Sequence, residues 1–128
     1  MNLPPLTAEA VTQRLDEAGL TLWRLEAADP TLGLPDENTV RRMSEARGWL
    51  LLIPSSRDAR IVEARMMISP RTGRPLYSWR KLGAVIGIDH KTVKVWYNQG
   101  VEAIVKGLGA VDRTAHGSPT ESLVGIGA

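Results

Sequence analysis

The stretch from residue 79 to residue 98 (WRKLGAVIGIDHKTVKVWYN) most constrains what this chain can fold into. Gly83 is a small position at which a second helix can approach closely, and Gly87 allows the left-handed conformation that ends a helix. Asp89, followed by Thr92, is expected to cap the next helix. Apolar residues occur at each position that two helices packed in this way are expected to bury, which are Leu82, Ile86, Ile88, Val93 and Trp96. These offsets predict two short helices around a tight turn, a helix-turn-helix motif.

The outward side of the second motif helix has residue types that suit DNA. Lysine pairs with guanine, asparagine pairs with adenine, and valine packs on the methyl group of thymine. No acidic residue occurs between His90 and Gly100, whereas a merely solvated helix face usually includes glutamate. We therefore predict that this face reads bases in the major groove, through His90, Lys91, Lys94, Val95 and Asn98. An ordinary helical hairpin that does not bind DNA is the alternative.

Basic charge is concentrated in the part of the chain that contains the motif. Residues 57–106 carry ten Lys and Arg against four Asp and Glu, which gives a net charge of +6. Residues 1–56 carry five Arg against eight acids, which gives −3. Together with the motif, this asymmetry is the electrostatic pattern expected of a nucleic-acid-binding module.

Several residues around the motif are predicted to contact phosphates, which position a protein on DNA. Arg71 and Arg74 lie in the loop of residues 69–77, which two prolines and a glycine mark as irregular. For these two arginines a simple solvated surface loop is the alternative. The other predicted phosphate contacts lie within the motif, at Arg80, Lys81 and Thr92.

Helices are expected to dominate the remaining sequence, because apolar residues recur at spacings of three and four. Three of them begin after residues that favour helix caps, which are Thr7, Asp36 and Ser55. Their expected ranges are 8–28, 37–53 and 56–68. The second motif helix is expected to continue through Val105. The fold class is therefore predicted to be all-α: a helical domain with a C-terminal trihelical helix-turn-helix and a flexible C-terminal tail.

The chain divides into three predicted parts. Residues 1–56 form a helical pair for packing or oligomerisation, residues 57–106 the DNA-binding region, and residues 107–128 the flexible tail, which is rich in glycine and small polar residues. A weak apolar cluster in the tail is a candidate partner-binding peptide (Leu123, Val124 and Ile126). All four tryptophans are expected to pack against helices, with an oligomer surface as the alternative for Trp23 and Trp49.

The sequence lacks the patterns of catalytic and metal sites. It has no cysteine, and its two histidines, His90 and His116, have no metal-type partners nearby. No phosphate-binding glycine loop and no nucleophile motif occurs. The longest apolar run, residues 49–53, is too short to cross a bilayer, and no secretory signal is visible. We therefore expect a non-enzymatic protein without cofactor, metal or membrane partner, in the cytoplasm of a bacterium or a phage-infected cell.

The chain resembles a family of small phage- and prophage-encoded helix-turn-helix proteins over residues 8–108. The matching residues are Arg41-Arg42-Met43, Gly48-Trp49-Leu50, Asp58-Ala59-Arg60-Ile61-Val62, Ala64-Arg65, Trp79, Leu82-Gly83 and Ile88-Asp89. The motif alone is similar to that of bacterial and phage regulators, including region 4 of sigma factors. The long loop at residues 69–77 departs from the tightest form of this pattern. The resemblance implies binding of double-stranded DNA, without indicating a target sequence.

Two functions of different classes are compatible with these features. The first is a transcriptional regulator, expected to be a twofold dimer on a pseudo-palindromic site and to work with RNA polymerase. The second is a packaging component similar to a phage terminase small subunit, which forms a ring and hands DNA to a terminase large subunit. A protein–protein adaptor that has kept the motif's shape is a third possibility. In the first two, the expected partners are double-stranded DNA and further copies of this chain.

Overall fold

The computed structural model describes residues 6–27, 31 and 33–117, and side chains as far as residue 110. Over these residues the protein is all-α, as predicted. The elements are α1 (Ala8–Ala27), α2 (Glu37–Gly48), a 3-10 helix (Trp49–Leu52), α3 (Ser56–Met66), α4 (Trp79–Ile86) and α5 (His90–Gly117). The predicted last residue of the first helix, at position 28, and the apolar cluster at residues 123–126 lie outside the described residues.

Side-chain caps start the helices where the sequence predicts them. The side-chain oxygens of Thr7, Asp36 and Ser55 each accept a hydrogen bond from the backbone N–H three residues later, at 3.1, 2.7 and 3.2 Å. These bonds satisfy N–H groups that have no partner inside the helix. Ser78, which the sequence analysis did not identify, caps α4 in the same way, by accepting from the N–H of Lys81 at 3.1 Å.

Two predicted helix ends are wrong. The second helix ends at Gly48 instead of Ile53, because the chain tightens into the 3-10 helix. This change of pitch leaves Trp49 and Ile53 6% and 7% exposed while Leu51 is 90% exposed. The third helix ends at Met66 instead of Ile68, because the backbone becomes extended at Met67.

The tail that was predicted to begin at residue 107 is helical as far as Gly117, because α5 continues through it. Gly107 was interpreted as the start of a flexible segment, but it lies against the 3-10 helix. A Cβ on Gly107 would be 3.0 Å from the Cβ of Leu52. The glycine therefore permits a close approach between α5 and this turn instead of ending the helix. Residues 118–128 lie outside the described residues.

A single hydrophobic core joins the N-terminal helices to the motif. Helix α5 contacts α1, α3, α4 and the 3-10 helix, and α1 also packs along α2. The largest fully buried side chains come from both halves of the chain: Val11, Leu15, Val62, Val93 and Ile104. Trp49 is buried in this core as expected, and Trp23 is half-buried. The motif is thus held by the same apolar side chains that hold α1.

Ion pairs add to the packing between α1 and α2. Arg42 donates to the carboxylate of Glu17 at 2.9 Å, and Arg14 donates to that of Glu45 at 3.0 Å. The Arg14 guanidinium also lies 4.9 Å from the centroid of the Trp49 ring. The hydrogen bond from Arg42 lowers the pKa of Glu17 below its ordinary value of 4.5.

The lowered pKa of Glu17 makes the α1–α2 contact sensitive to acid. A carboxylate with a lowered pKa stabilises the folded state above its unfolded pKa, and this contribution is lost as the pH falls through the folded pKa. We expect Glu17→Gln to lose less stability than wild type between pH 6 and a pH below about 4. Urea unfolding at both pH values measures this difference. The control is Glu37→Gln, because Glu37 is 93% exposed and 3.8 Å from Arg41. Equal pH dependence of wild type and Glu17→Gln would contradict the interpretation.

Candidate nucleic-acid interface

Helices α4 and α5 meet in the tight turn that the glycine pattern predicts. Gly87 has φ +82° and ends α4 in the left-handed conformation. The backbone N–H groups of Gly87 and Ile88 both donate to the carbonyl of Gly83, at 2.8 and 2.9 Å. A Cβ on Gly83 would be 2.6 Å from the carbonyl oxygen of Ile88 and 3.1 Å from the backbone nitrogen of His90. Both predicted glycine roles are therefore confirmed.

The start of α5 lies where the sequence placed the second motif helix. The carbonyl of Asp89 accepts the N–H groups of Thr92 and Val93, at 3.0 and 3.1 Å. The carboxylate of Asp89 lies 3.8 Å from the Nδ1 atom of His90. Together with α3, the α4–α5 pair makes the trihelical arrangement, since α5 packs on both of the other helices.

The core of the motif differs from its prediction at three positions. Leu82 and Val93 are buried as expected. Ile86 is 41% exposed, because only the side of α4 that carries Leu82 and Gly83 is buried against its neighbours. Ile88, in the turn after α4, is 36% exposed. Trp96 is half-buried at the edge of the core instead of forming its inner face.

Tyr97 occupies the inner position that was expected for Trp96. Val93, Tyr97 and Ile104 follow a spacing of four and seven, which keeps them on one face of α5. Tyr97 is 7% exposed, and its ring meets that of Trp79 edge-to-face, with centroids 5.2 Å apart. Burial raises the pKa of the Tyr97 hydroxyl, which also forms a hydrogen bond with Thr12 of α1. Tyr97 thus links the motif to the N-terminal helix.

The predicted base-reading residues lie on the outward side of α5. Lys91, Lys94, Val95 and Asn98 are exposed, and His90 keeps 33% of its side chain exposed. Lys91, Lys94 and Asn98 share one face because they are three, four and seven residues apart. We call these five residues the reading face. Glu102, an exposed acid one turn after Asn98, limits this basic surface to the first turns of α5.

The predicted phosphate contacts fall into two groups. Arg80 and Lys81 are exposed in the first turn of α4, and the Nζ atom of Lys94 lies 5.7 Å from the centroid of the neighbouring Trp79 ring. The structure therefore brings the start of α4 close to the reading face. Thr92, the remaining predicted phosphate contact of the motif, is half-buried in the first turn of α5.

Arg71 and Arg74 are exposed in the loop before α4. Arg74 lines a pocket of about 210 Å³ together with Asp16 and Leu20. Gly73, between the two arginines, lies against the ring of Trp23, where a Cβ would be 3.4 Å from the nearest ring atom. Their part in phosphate contact stays a prediction.

One functional candidate was missed in the sequence. Arg65 of α3 lies 4.2 Å from the centroid of the Trp79 ring and donates to the carbonyl oxygen of Tyr77 at 2.6 Å. Its guanidinium and Lys94 therefore contact the same indole ring, and Lys81 lies 5.8 Å from the ring of Tyr77. The sequence did not predict the contact between Arg65 and Tyr77, because a long loop separates them and no local spacing rule connects the two.

Metal clusters and membrane-spanning helices are not found among the residues that the structure describes. Among those residues, no group of three or more His, Cys, Asp and Glu side chains could hold a metal ion. None of the described helices is both long and apolar enough to cross a membrane. Comparison with protein-family models, with curated proteins and with solved structures finds no match to this chain.

The contact at Gly83 yields a stability prediction. Gly83→Ala would place a methyl group against backbone atoms, so we expect a loss of about 1–3 kcal/mol of unfolding free energy. The matched control is Gly48→Ala, because a Cβ on Gly48 meets no atom within 4 Å and the residue has helical φ and ψ. Urea unfolding followed by circular dichroism measures both variants. If Gly83→Ala were as stable as Gly48→Ala, the helices would not be held together at this point.

Proposed function

We propose that this protein binds double-stranded DNA and acts as a transcriptional regulator, with α5 in the major groove. The observation that carries the proposal is the reading face: two lysines and an asparagine exposed on one side of a helix that follows a tight, glycine-dependent turn. These side chains can donate to base edges, and lysine also contacts phosphates. The rigid support beneath them favours recognition, since α5 is anchored by buried Val93 and Tyr97.

The first turn of α4 supplies the backbone contacts in this proposal. Arg80 and Lys81 are exposed there, and Lys94 lies over the ring of Trp79 at the start of the same helix. With α5 in the groove, the start of α4 would face the neighbouring phosphates, as the first helix of such motifs commonly does. Arg65 acts behind this surface by holding Trp79 and the Tyr77 carbonyl.

Removal of a base-reading side chain should weaken binding to the preferred sequence. We expect Lys94→Ala and Asn98→Ala each to cost about 1–3 kcal/mol of binding free energy on DNA selected from a random pool, and to flatten the base preference. Fluorescence anisotropy on the selected and on scrambled duplexes measures both effects. Lys106→Ala is the matched control, an exposed lysine further along the same helix. If both variants kept wild-type affinity and preference, α5 would not be the reader.

Removal of a phosphate contact should act equally on every sequence. We expect Arg80→Ala to weaken binding to selected and scrambled duplexes by the same factor, and to lower the slope of log K against log salt by about one. Titrations at several salt concentrations measure this slope. Arg47→Ala, at an exposed arginine at the end of α2, is the control and should leave the slope unchanged. A loss confined to the selected duplex would instead make Arg80 a base-reading residue.

The mass of the protein in solution separates the regulator from the packaging component. A dimer whose mass shifts with duplex DNA supports the regulator. A ring of higher order supports a role like that of a terminase small subunit, and absence of salt-dependent DNA binding supports an adaptor. Light scattering with and without duplex DNA distinguishes these outcomes.

A further inference from the structure

An apolar groove of about 470 Å³ lies between α3 and α4. Its walls include Ile61 and Ala64 of α3, Val85 and Ile86 of α4, and the ring of Trp96. Its volume falls in the range of about 300–1,000 Å³ that is typical of binding sites. We call it the α3–α4 groove.

Large apolar side chains are left exposed in this groove. Val85 is 65% exposed, Met67 48% and Ile86 41%. Singly scattered apolar residues on a surface need no explanation, but a contiguous set in one concave site indicates a surface for binding. Ile86 belongs to this set, which accounts for an apolar residue that the core of the motif does not use.

Two arginines line the α3–α4 groove. Arg57 is held in place, because its guanidinium lies 4.0 Å from the centroid of the Trp96 ring and donates to the carboxylate of Asp58 at 3.0 Å. Arg60 lies nearly one turn further along α3 and is exposed. Within the described part of the chain, the Arg60 side chain forms no hydrogen bond or ion pair. The lining of the groove therefore offers an uncompensated positive charge beside apolar walls.

The α3–α4 groove faces away from the proposed DNA contact. Trp96 is two residues from Lys94 and two from Asn98, so it lies about 160° from each around the axis of α5. The ring of Trp96 lines the groove, while Lys94 and Asn98 are on the outward face. A molecule in the groove and a duplex on the reading face can therefore be bound together.

We propose that the α3–α4 groove binds a short segment of another protein that presents apolar side chains next to carboxylates. Charge complementarity selects this occupant: Arg60 lacks an anionic partner in the described chain, and Arg57 presents a second, fixed guanidinium. An amphipathic helix that buries apolar residues at spacings of three and four is the form that such grooves bind. This proposal does not depend on DNA binding.

The probe is a displayed library of random short peptides, selected on the full chain after removal of peptides that bind Val85→Glu. Val85→Glu places a charge among the apolar walls, and its position at an exposed site leaves folding intact, which circular dichroism checks. We expect enriched peptides to carry apolar residues at spacings of three and four next to Asp or Glu. Enrichment of no sequence, or of sequences without acids, would overturn the proposal.

Charge reversal then tests the contact itself. We expect Arg60→Glu to lower the affinity for the best synthetic peptide by at least about tenfold. A peptide in which the acid is changed to Lys should bind this variant with the affinity restored. Arg47→Glu is the matched control and should bind as wild type. If the charge-reversed peptide did not recover binding to Arg60→Glu, the proposal would be overturned. It would also be overturned if light scattering showed that Val85→Glu dissociates a homo-oligomer, because a second copy of the chain would then cover the groove. DNA affinity of both groove variants is measured separately and should equal that of wild type.

Discussion

The contact between Gly83 and the backbone that enters α5 is the constraint on which the rest of the motif depends. The carbonyl oxygen of Ile88 lies only 2.6 Å from the position that a Cβ on residue 83 would take, so the absence of a side chain at Gly83 lets a very short turn join the two helices. The left-handed Gly87 completes that turn, and the carbonyl of Gly83 accepts the N–H groups of Gly87 and Ile88. The direction of α5, and therefore the side that it turns to solvent, follows from this junction.

Three sides of helix α5 have different environments. Val93, Tyr97 and Ile104 are buried against the other helices. The reading face points outward with basic and amide side chains, and Trp96 on another side closes the α3–α4 groove. The proposed DNA contact and the proposed protein contact thus use different sides of the same helix, so they do not overlap.

The two halves of the chain use their charges differently. In the N-terminal half, Glu17 and Glu45 are paired with Arg42 and Arg14 across α1 and α2, so these two carboxylates are neutralised within the fold. In residues 57–106, the lysines and Arg60 are exposed to solvent. Arg57 and Arg65 are held within the fold instead, because Arg57 pairs with Asp58 and Arg65 lies over the Trp79 ring and donates to the Tyr77 carbonyl. The basic surface is therefore left to interact with other molecules.

Local patterns in the sequence determined the all-α class, the caps of the first three helices and both motif glycines, because each depends on neighbours within four residues. The exposure of Lys94 and Asn98 followed from the same helical periodicity. Only the tertiary structure decided which side chains lie at the edge of the core: Tyr97 took the place expected for Trp96, and Ile86 was left in the α3–α4 groove. It also decided that Gly107 would continue α5, since that choice rests on contact with Leu52, far away in sequence. Contacts over such distances depend on how the helices pack, which no local spacing specifies.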